Sequence, residues 1–400
     1  MTVEKKVPEI RFKGFSGEWE ERCWCDTVDI STNMVDPRNG LYSELRHVGP
    51  GNIESFTGRF YDNVLKVKDS HLISGKFHFH KGDIIYGKIN PQLAKYVIAP
   101  FEGLASADAY VLNAKNGVVQ NYLFTILHSE DFYKYTVSVS SRTGMPKINR
   151  DELNIYSFMA PYEEEQTAIG NYFQKLDSLI NQHQQKHDKL CNIKKAMLEK
   201  MFPKQGETIP EIRFKGFSGE WKSTALAELA LFNPREDLPA NFKYVDLESV
   251  KGTSLIGYRK ELKDNAPSRA QRLAKKGDVF FQTVRPYQKN NYLFNKDDDD
   301  FVFSTGYAQL RPYYDGEFLL NLVQRAPFVR DVLDNCTGTS YPAINASILA
   351  GLRVQYPESK EEQAAIGSHF QKLDTLINQH QQQITKLTNI KQACLSKMFV

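Results

Sequence analysis

Between Ile169 and Met201 the apolar positions recur at alternating steps of four and three: Ile169, Phe173, Leu176, Ile180, then His183, His187, Leu190, with Ile193 and Met197 closing the stripe. The same stripe returns as Ile366, Phe370, Leu373, Ile377, His380, Ile384 and Leu387, closed by Ile390, Cys394 and Met398. Heptad spacing sustained this long, interrupted by no proline and only by Gly170 and Gly367, predicts two helices that each bury one face against a partner. At about 1.5 Å per residue each is roughly 50 Å long. His183 and His380 lie on the seam, where a polar residue fixes register. The Gln-rich stretches at 182–185 and 379–383 are compatible with helix. The segments between these helices read differently: aromatic and β-branched residues broken by turn signals predict compact mixed sheets with short helices.

The two heptad stripes belong to a longer duplication. Glu164 to Phe202 matches Glu361 to Phe399 without a gap, and PEIRFKGFSGEW occurs at both Pro8–Trp19 and Pro210–Trp221. What lies between the repeats has diverged, with two traces of kinship: KGDIIYGKINP at Lys81–Pro91 against KGDVFFQTVRP at Lys276–Pro286, and GMPKINRDEL at Gly144–Leu153 against SYPAINASIL at Ser340–Leu349. A fixed frame holding two diverged inserts suits two readers of one ligand class. The first helix leaves the first insert and delivers the chain to the second. Helices that pair must therefore run antiparallel, and the end of the chain at Phe399–Val400 then meets the first PEIRFKGF copy as Phe202 meets the second. The expected class is α/β in the mixed α+β sense, with two globular domains, two long antiparallel coiled-coil helices and a nearly circular pseudo-two-fold frame. The boundaries are 1–161 and 206–358 for the globular domains, and 162–205 and 359–400 for the helices.

Four hundred residues exceed what one core usually supports, in keeping with two units. No apolar run is long enough to cross a bilayer and the N-terminus lacks the apolar core of a secretory signal, so a cytoplasmic protein with no membrane partner is expected. Five cysteines at irregular spacing read as reduced, buried or idle thiols. Cys23 and Cys25 resemble half a metal site, but no second Cys or His pair is seen to complete it, and no metal site is expected.

The net charge of +3 decides nothing, whereas its distribution points to a polyanion. Arg259, Lys260, Lys263, Arg269, Arg272, Lys275, Lys276, Arg285 and Lys289 face only Glu261, Asp264 and Asp278 in the same stretch. In the first insert, Phe132 to Arg150 carries Lys134, Arg142, Lys147 and Arg150 and no acidic residue. Catalytic chemistry is missing. Gly49-Pro50-Gly51 starts like a dinucleotide turn but Glu54 stands at the third glycine position, and there is no phosphate-binding Gly-x-x-x-x-Gly-Lys-Ser/Thr. Neither a nucleophile elbow nor a His-Glu-x-x-His occurs, and Asn90-Pro91-Gln92 and Asn233-Pro234-Arg235 lack the second proline and the aromatic residue of an amino-methyltransferase. The acidic run Asp297–Asp300 reads as a solvated loop.

Two divergent inserts, each ending in Pro-x-Ile-Asn (Pro146–Asn149, Pro342–Asn345) and running into Glu-Glu-Gln-x-Ala-Ile-Gly and Phe-Gln-Lys-Leu-Asp-x-Leu-Ile, resemble the specificity subunit of Type I restriction-modification systems. The resemblance covers essentially the whole chain. It implies a non-catalytic reader of double-stranded DNA, in which each of two target recognition domains reads half of a split sequence and the helices set the spacing. It also implies two modification subunits carrying S-adenosylmethionine, and restriction (motor-nuclease) subunits using ATP and Mg; this chain itself needs no cofactor. Reading requires paired hydrogen bonds to base edges and anchors on phosphates. The loops that offer them contain Lys88, Asn90, Gln92, Lys95, Arg142, Thr143 and Lys147 in the first insert. In the second they contain Gln282, Arg285, Tyr287, Gln288, Lys289, Thr337, Thr339, Ser340 and Tyr341. The rival readings are an enzyme acting alone, which lacks its motifs, and a coiled-coil scaffold for two proteins, which leaves the basic loops unexplained.

Overall fold

A computed structural model describes residues 6–140, 144–338 and 340–399. By their internal contacts the residues form two compact units, Met1–Gln185 with Gln381–Val400, and Lys186–His380.

In the first unit β1 (Glu20–Cys23) leads through the single turn α1 (Trp24–Thr27) into β2 (Val28–Ile30), β3 (Met34–Val35), β4 (Arg46–Val48), β5 (Lys76–Phe79), β6 (Ile84–Gly87), β7 (Tyr96–Ile98), β8 (Gly103–Ala105) and β9 (Ala109–Ala114). Helices α2 (Gln120–Ile126), α3 (Glu130–Ser140) and α4 (Arg150–Asn154) follow, then β10 (Ser157–Ala160) and the start of the long helix α5 (Glu163–Lys200). One antiparallel sheet has the order β2-β9-β6-β7; a second has the order β3-β5-β8-β4, with β4 and β8 parallel. β1 closes on β10. Strand β6 is buried on both faces: Ile84 and Tyr86 enter the core shared with the helices, while Ile85 enters the core between the sheets. This is why it reads as an unbroken apolar run instead of alternating with polar residues.

The second unit repeats the plan with β11 (Lys222–Ala225), β12 (Ala230–Phe232), β13 (Asn241–Val245), β14 (Val250–Lys251), β15 (Ser254–Leu255), β16 (Arg259–Leu262), β17 (Ala270–Leu273), β18 (Val279–Gln282), β19 (Tyr292–Leu293), β20 (Phe301–Ser304) and β21 (Tyr307–Pro312). Helices α6 (Gly316–Gln324), α7 (Ala326–Asp334) and α8 (Ala346–Gly351), strand β22 (Arg353–Tyr356) and helix α9 (Lys360–Lys397) complete it. Its sheets run β12-β21-β18-β19 and β16-β13-β20-β17, with β13 and β20 parallel, and β11 closes on β22. Val279 and Phe281 face one core and Phe280 the other, as in β6.

The long helices pack antiparallel inside each unit. In the first, Ile169, Phe173 and Leu176 meet Leu387, Ile390, Cys394 and Met398, and Lys391 Nζ lies 2.6 Å from Asp177 Oδ1. In the second, Leu190, Ile193 and Met197 meet Ile366, Phe370 and Leu373, and Lys194 Nζ lies 2.5 Å from Asp374 Oδ1. Both glycines in the heptad stretch are required by close approach. A Cβ on Gly170 would stand 2.7 Å from Asn121 Cβ and 2.9 Å from Tyr122 N, and one on Gly367 would collide with Asp315 Oδ1 and stand 3.0 Å from Phe318 N.

The PEIRFKGF segments dock identically. Ile212 N–H donates to the Lys200 carbonyl at 2.9 Å where the chain is continuous, and Ile10 N–H donates to the Lys397 carbonyl at 3.0 Å where it is not. Trp221 meets Phe202 edge-on at 5.6 Å and Trp19 meets Phe399 at 6.1 Å. The expected return of the chain end to the first repeat is therefore present, although Val400 lies outside the described residues. Arg11 clamps the buried Glu165 through two bonds of 2.6 Å, and Arg213 clamps Glu362 through two of 2.7 Å.

Candidate nucleic-acid interface

Each central strand begins at a Lys-Gly-Asp turn whose glycine is left-handed (Gly82 φ +98°, Gly277 φ +94°), a conformation that disfavours any Cβ. The aspartate locks the turn: Asp83 Oδ2 accepts from His80 N–H, and Asp278 Oδ2 from Lys275 N–H, both at 2.8 Å. From these strands the chain runs into a loop of the same shape in both units. Asn90 and Arg285 are left-handed, a proline opens a short 3-10 turn (Pro91–Leu93, Pro286–Gln288), and Ala94 and Lys289 are left-handed again. Left-handed backbone costs an ordinary residue about 1–2 kcal/mol, so its recurrence at Arg285 and Lys289 marks a loop whose shape is imposed by its surroundings.

The Pro-x-Ile-Asn segments impose it. Asn90 N–H donates to the Pro146 carbonyl and Arg285 N–H to the Pro342 carbonyl, each at 2.7 Å, while Ile148 N–H reaches Lys88 O and Ile344 N–H reaches Thr283 O, each at 3.0 Å. The two traces of kinship between the inserts are thus one structural element, a proline loop bridged to a Pro-x-Ile-Asn segment through Ile89–Lys147 and Val284–Ala343.

Equivalent backbone positions carry different side chains. Asn90, Gln92, Leu93, Met145 and Lys147 in the first unit correspond to Arg285, Tyr287, Gln288, Tyr341 and Ala343 in the second. Gln92, Leu93, Met145 and Lys147 are exposed, as are Tyr287, Gln288, Ser340, Thr337 and Tyr341. The Arg285 guanidinium stacks 4.3 Å over the Tyr341 ring, while Gln92 Nε2 donates to Asn90 Oδ1 at 3.4 Å. Lys88 is half-buried with Nζ 5.5 Å above the Tyr110 ring, and burial, then Lys147 and Arg150, lower its pKa. Leu93 and Met145 offer no polar group and so carry no base-contact signal in the sequence; the position before Pro146 is the signal that identifies Met145.

Three of the sequence candidates turn inward. Gln282 is 1% exposed, and its amide donates to Gln288 Oε1 at 2.9 Å while its Oε1 accepts from Asn290 N–H, so it braces the loop from below. Lys95 Nζ donates to the Pro50 carbonyl at 2.6 Å, and Lys289 Nζ to the Gln324 carbonyl at 3.0 Å, with burial lowering the Lys289 pKa. Arg142, Thr143 and Thr339 lie outside the described residues.

The basic excess counted between Arg259 and Lys289 is partly cancelled by acids distant in sequence. Lys275 pairs with Glu236 at 2.8 Å, Lys276 with Asp297 at 2.6 Å and Arg259 with Asp246 at 3.3 Å, leaving Lys260, Lys263 and Arg269 exposed. The Asp297–Asp300 run is accordingly a counter-charge and not simply a solvated loop: Asp298 and Asp300 hold Lys243 at 2.7 and 3.0 Å. The cysteines are free thiols as expected, and none is fully buried: Cys25 is exposed and the other four are partly exposed. Among the described residues, no helix is long and apolar enough to cross a membrane.

Residues 18–192 match the model of the Type I restriction modification DNA specificity domain. The chain is 30% identical over 233 residues to the EcoDI specificity subunit of Escherichia coli, covering 56% of this chain and 49% of that one. It is 24% identical over 307 residues to the MjaVIII specificity subunit of Methanocaldococcus jannaschii, covering 69% and 68%. The chain thus spans only about half the length of the first relative. The crystal structure of a Type I restriction-modification S subunit from M. genitalium shares the fold at a TM-score of 0.63 and 15% identity, over 98% of this chain and 99% of that one.

Proposed function

We propose, from a chain that carries the Type I DNA specificity domain and is related to Type I specificity subunits, that this protein is the non-catalytic DNA reader of a Type I restriction-modification complex. Each unit reads one half of a bipartite duplex target through its proline loop and the adjoining Pro-x-Ile-Asn segment. Modification subunits carrying S-adenosylmethionine and motor-nuclease subunits using ATP and Mg supply the reactions. The observation that carries this reading is the pairing of an unchanged loop backbone with changed side chains: Asn90, Gln92, Met145 and Lys147 in one unit, Arg285, Tyr287, Tyr341 and Ala343 in the other. A protein that merely joined two others would have no reason to keep the loop shape and vary its hydrogen-bonding groups. Asn, Gln and Arg form paired bonds with purine edges, whereas lysine and tyrosine suit phosphates.

The test is binding to duplexes across a salt series, with modification subunits present and the target taken from methylome sequencing of an expressing host. Neutralised phosphates give a steep fall in affinity with salt. Arg285→Ala is expected to cost about 1–3 kcal/mol on the cognate duplex and much less on a scrambled one. Equal losses on both would make Arg285 a phosphate anchor, and salt-independent binding would refute the reading.

A further inference from the structure

We propose that His78, His80 and Glu102 form a binding site for a divalent first-row transition ion of the zinc class on the second sheet of the first unit. Against the expectation that no His pair has ligand spacing, His78-x-His80 is such a pair. On a strand, residues two apart share a face, so β5 and the residue that continues it present both imidazoles on one side of the sheet. The neighbouring strand supplies the third group. In the antiparallel register Phe79 opposes Gly103 and His78 opposes Leu104, which brings Glu102 opposite His80.

The donor atoms already converge. Glu102 Oε1 lies 2.8 Å from His78 Nε2 and 3.8 Å from His80 Nδ1, and the three ligand atoms fall within 4.8 Å of one another. The imidazole rings are 4.7 Å apart and edge-to-face. A tetrahedral zinc with bonds of about 2.0–2.1 Å needs ligand atoms about 3.3 Å apart, between the two distances observed here. Two imidazoles and a carboxylate with one open position form a borderline donor set, suited to zinc and its neighbours and not to calcium or magnesium.

The second unit supplies an internal control. Counting from the shared Lys-Gly-Asp turn, His78 and His80 correspond to Leu273 and Lys275, and the register of β17 with β20 makes Asp300 the counterpart of Glu102. There Lys275 pairs with Glu236 and Asp300 with Lys243. The strand pair therefore forms without imidazoles, and the fold does not require the ligand set. Among the described residues a cluster of two thiols and a carboxylate, Cys23, Cys25 and Asp26, is the competitor for the same ion, and its chemistry is distinguishable because thiolates give near-ultraviolet charge-transfer absorption with cobalt.

The experiment uses the full chain without a polyhistidine tag, stripped with chelator and titrated with zinc, and separately with cobalt. The proposal predicts one ion bound through the histidines, a raised unfolding temperature on loading, and a cobalt spectrum with visible bands but no thiolate charge transfer. His80 is exposed, so His80→Ala should fold normally and lose at least about tenfold in zinc affinity, with Glu102→Gln showing a similar loss. Cys23→Ser with Cys25→Ser should leave the affinity unchanged. Zinc binding that survives His80→Ala and Glu102→Gln, or that follows the cysteines, would overturn the proposal, as would a chain that binds no zinc.

Discussion

The first and second units agree most closely where they touch the long helices and differ most at the outer sheet. The Arg–Glu clamps match to about 0.1 Å, Arg11 on Glu165 and Arg213 on Glu362, and each arginine also donates to glycine and serine carbonyls of its own loop (Gly17 and Ser16, Gly219 and Ser218). In the outer sheets the shared strands keep their pairing, but the extra edge strand moves: β3 adds beside β5 in the first unit, whereas β16 adds beside β13, on the opposite edge, in the second. Unpaired edges accept a new strand without disturbing the core, so divergence accumulates there. The central strands are buried on both faces and lack that freedom. The difference separates a frame under packing constraint from surfaces free to change their side chains.

The sharpest way to break the likeness of the frames is to remove one clamp. Glu165 and Glu362 are each 2% exposed, and losing the arginine strands a buried carboxylate. Arg11→Ala and Arg213→Ala should each cost roughly 3–5 kcal/mol. Urea unfolding followed by tryptophan fluorescence measures both, and clearly unequal costs would show that the frames are not energetically equivalent.

A smaller effect is expected at the helix crossings. Gly170→Ala and Gly367→Ala each drive a Cβ into the start of a neighbouring helix, at a cost of about 1–3 kcal/mol for an overpacked contact. Gly170 meets backbone, while Gly367 meets Asp315, whose Oδ1 caps α6 by accepting from Phe318 N–H at 2.6 Å. The Gly367 variant should accordingly also reduce the stability of α6 in amide exchange, and protection there identical to wild type would contradict this.

The smallest effect separates the units by pH. His128 Nδ1 lies 2.9 Å from the Phe124 carbonyl oxygen, and burial, then Lys391, hold its pKa well below 6.5; the corresponding residue in the second unit is the non-titrating Gln324. The unfolded chain takes up a proton at this histidine below about pH 6.5 while the folded chain does not, so its contribution is complete above that pH and is lost as pH falls. His128→Gln should flatten the acid-side decline in the urea midpoint. An unchanged decline would place the acid sensitivity elsewhere.

The helices, their antiparallel pairing and the junction at Phe399 were legible because heptads and exact repeats encode them directly. The loops were legible as places but not as surfaces. Gln282 reads like a base-contacting residue, and only the folded chain shows that its amide is consumed by Gln288 and Asn290. Lys95 and Lys289 are spent on the carbonyls of Pro50 and Gln324, which no local pattern announces. The basic stretch lost part of its excess to Glu236, Asp246 and Asp297, which are close only after folding. His78-x-His80 is not legible as a ligand set in the sequence because its third partner, Glu102, is brought beside it only by the neighbouring strand.

The central claim is that each unit reads its own half of the target from a common frame. Exchanging residues 20–161 for the corresponding insert of a relative, and mapping methylated sites in a host that expresses the chimera with its modification subunits, tests it most directly. The account predicts that one half of the recognised sequence changes and the other stays as it was. Alteration of both halves in a folded chimera would contradict it.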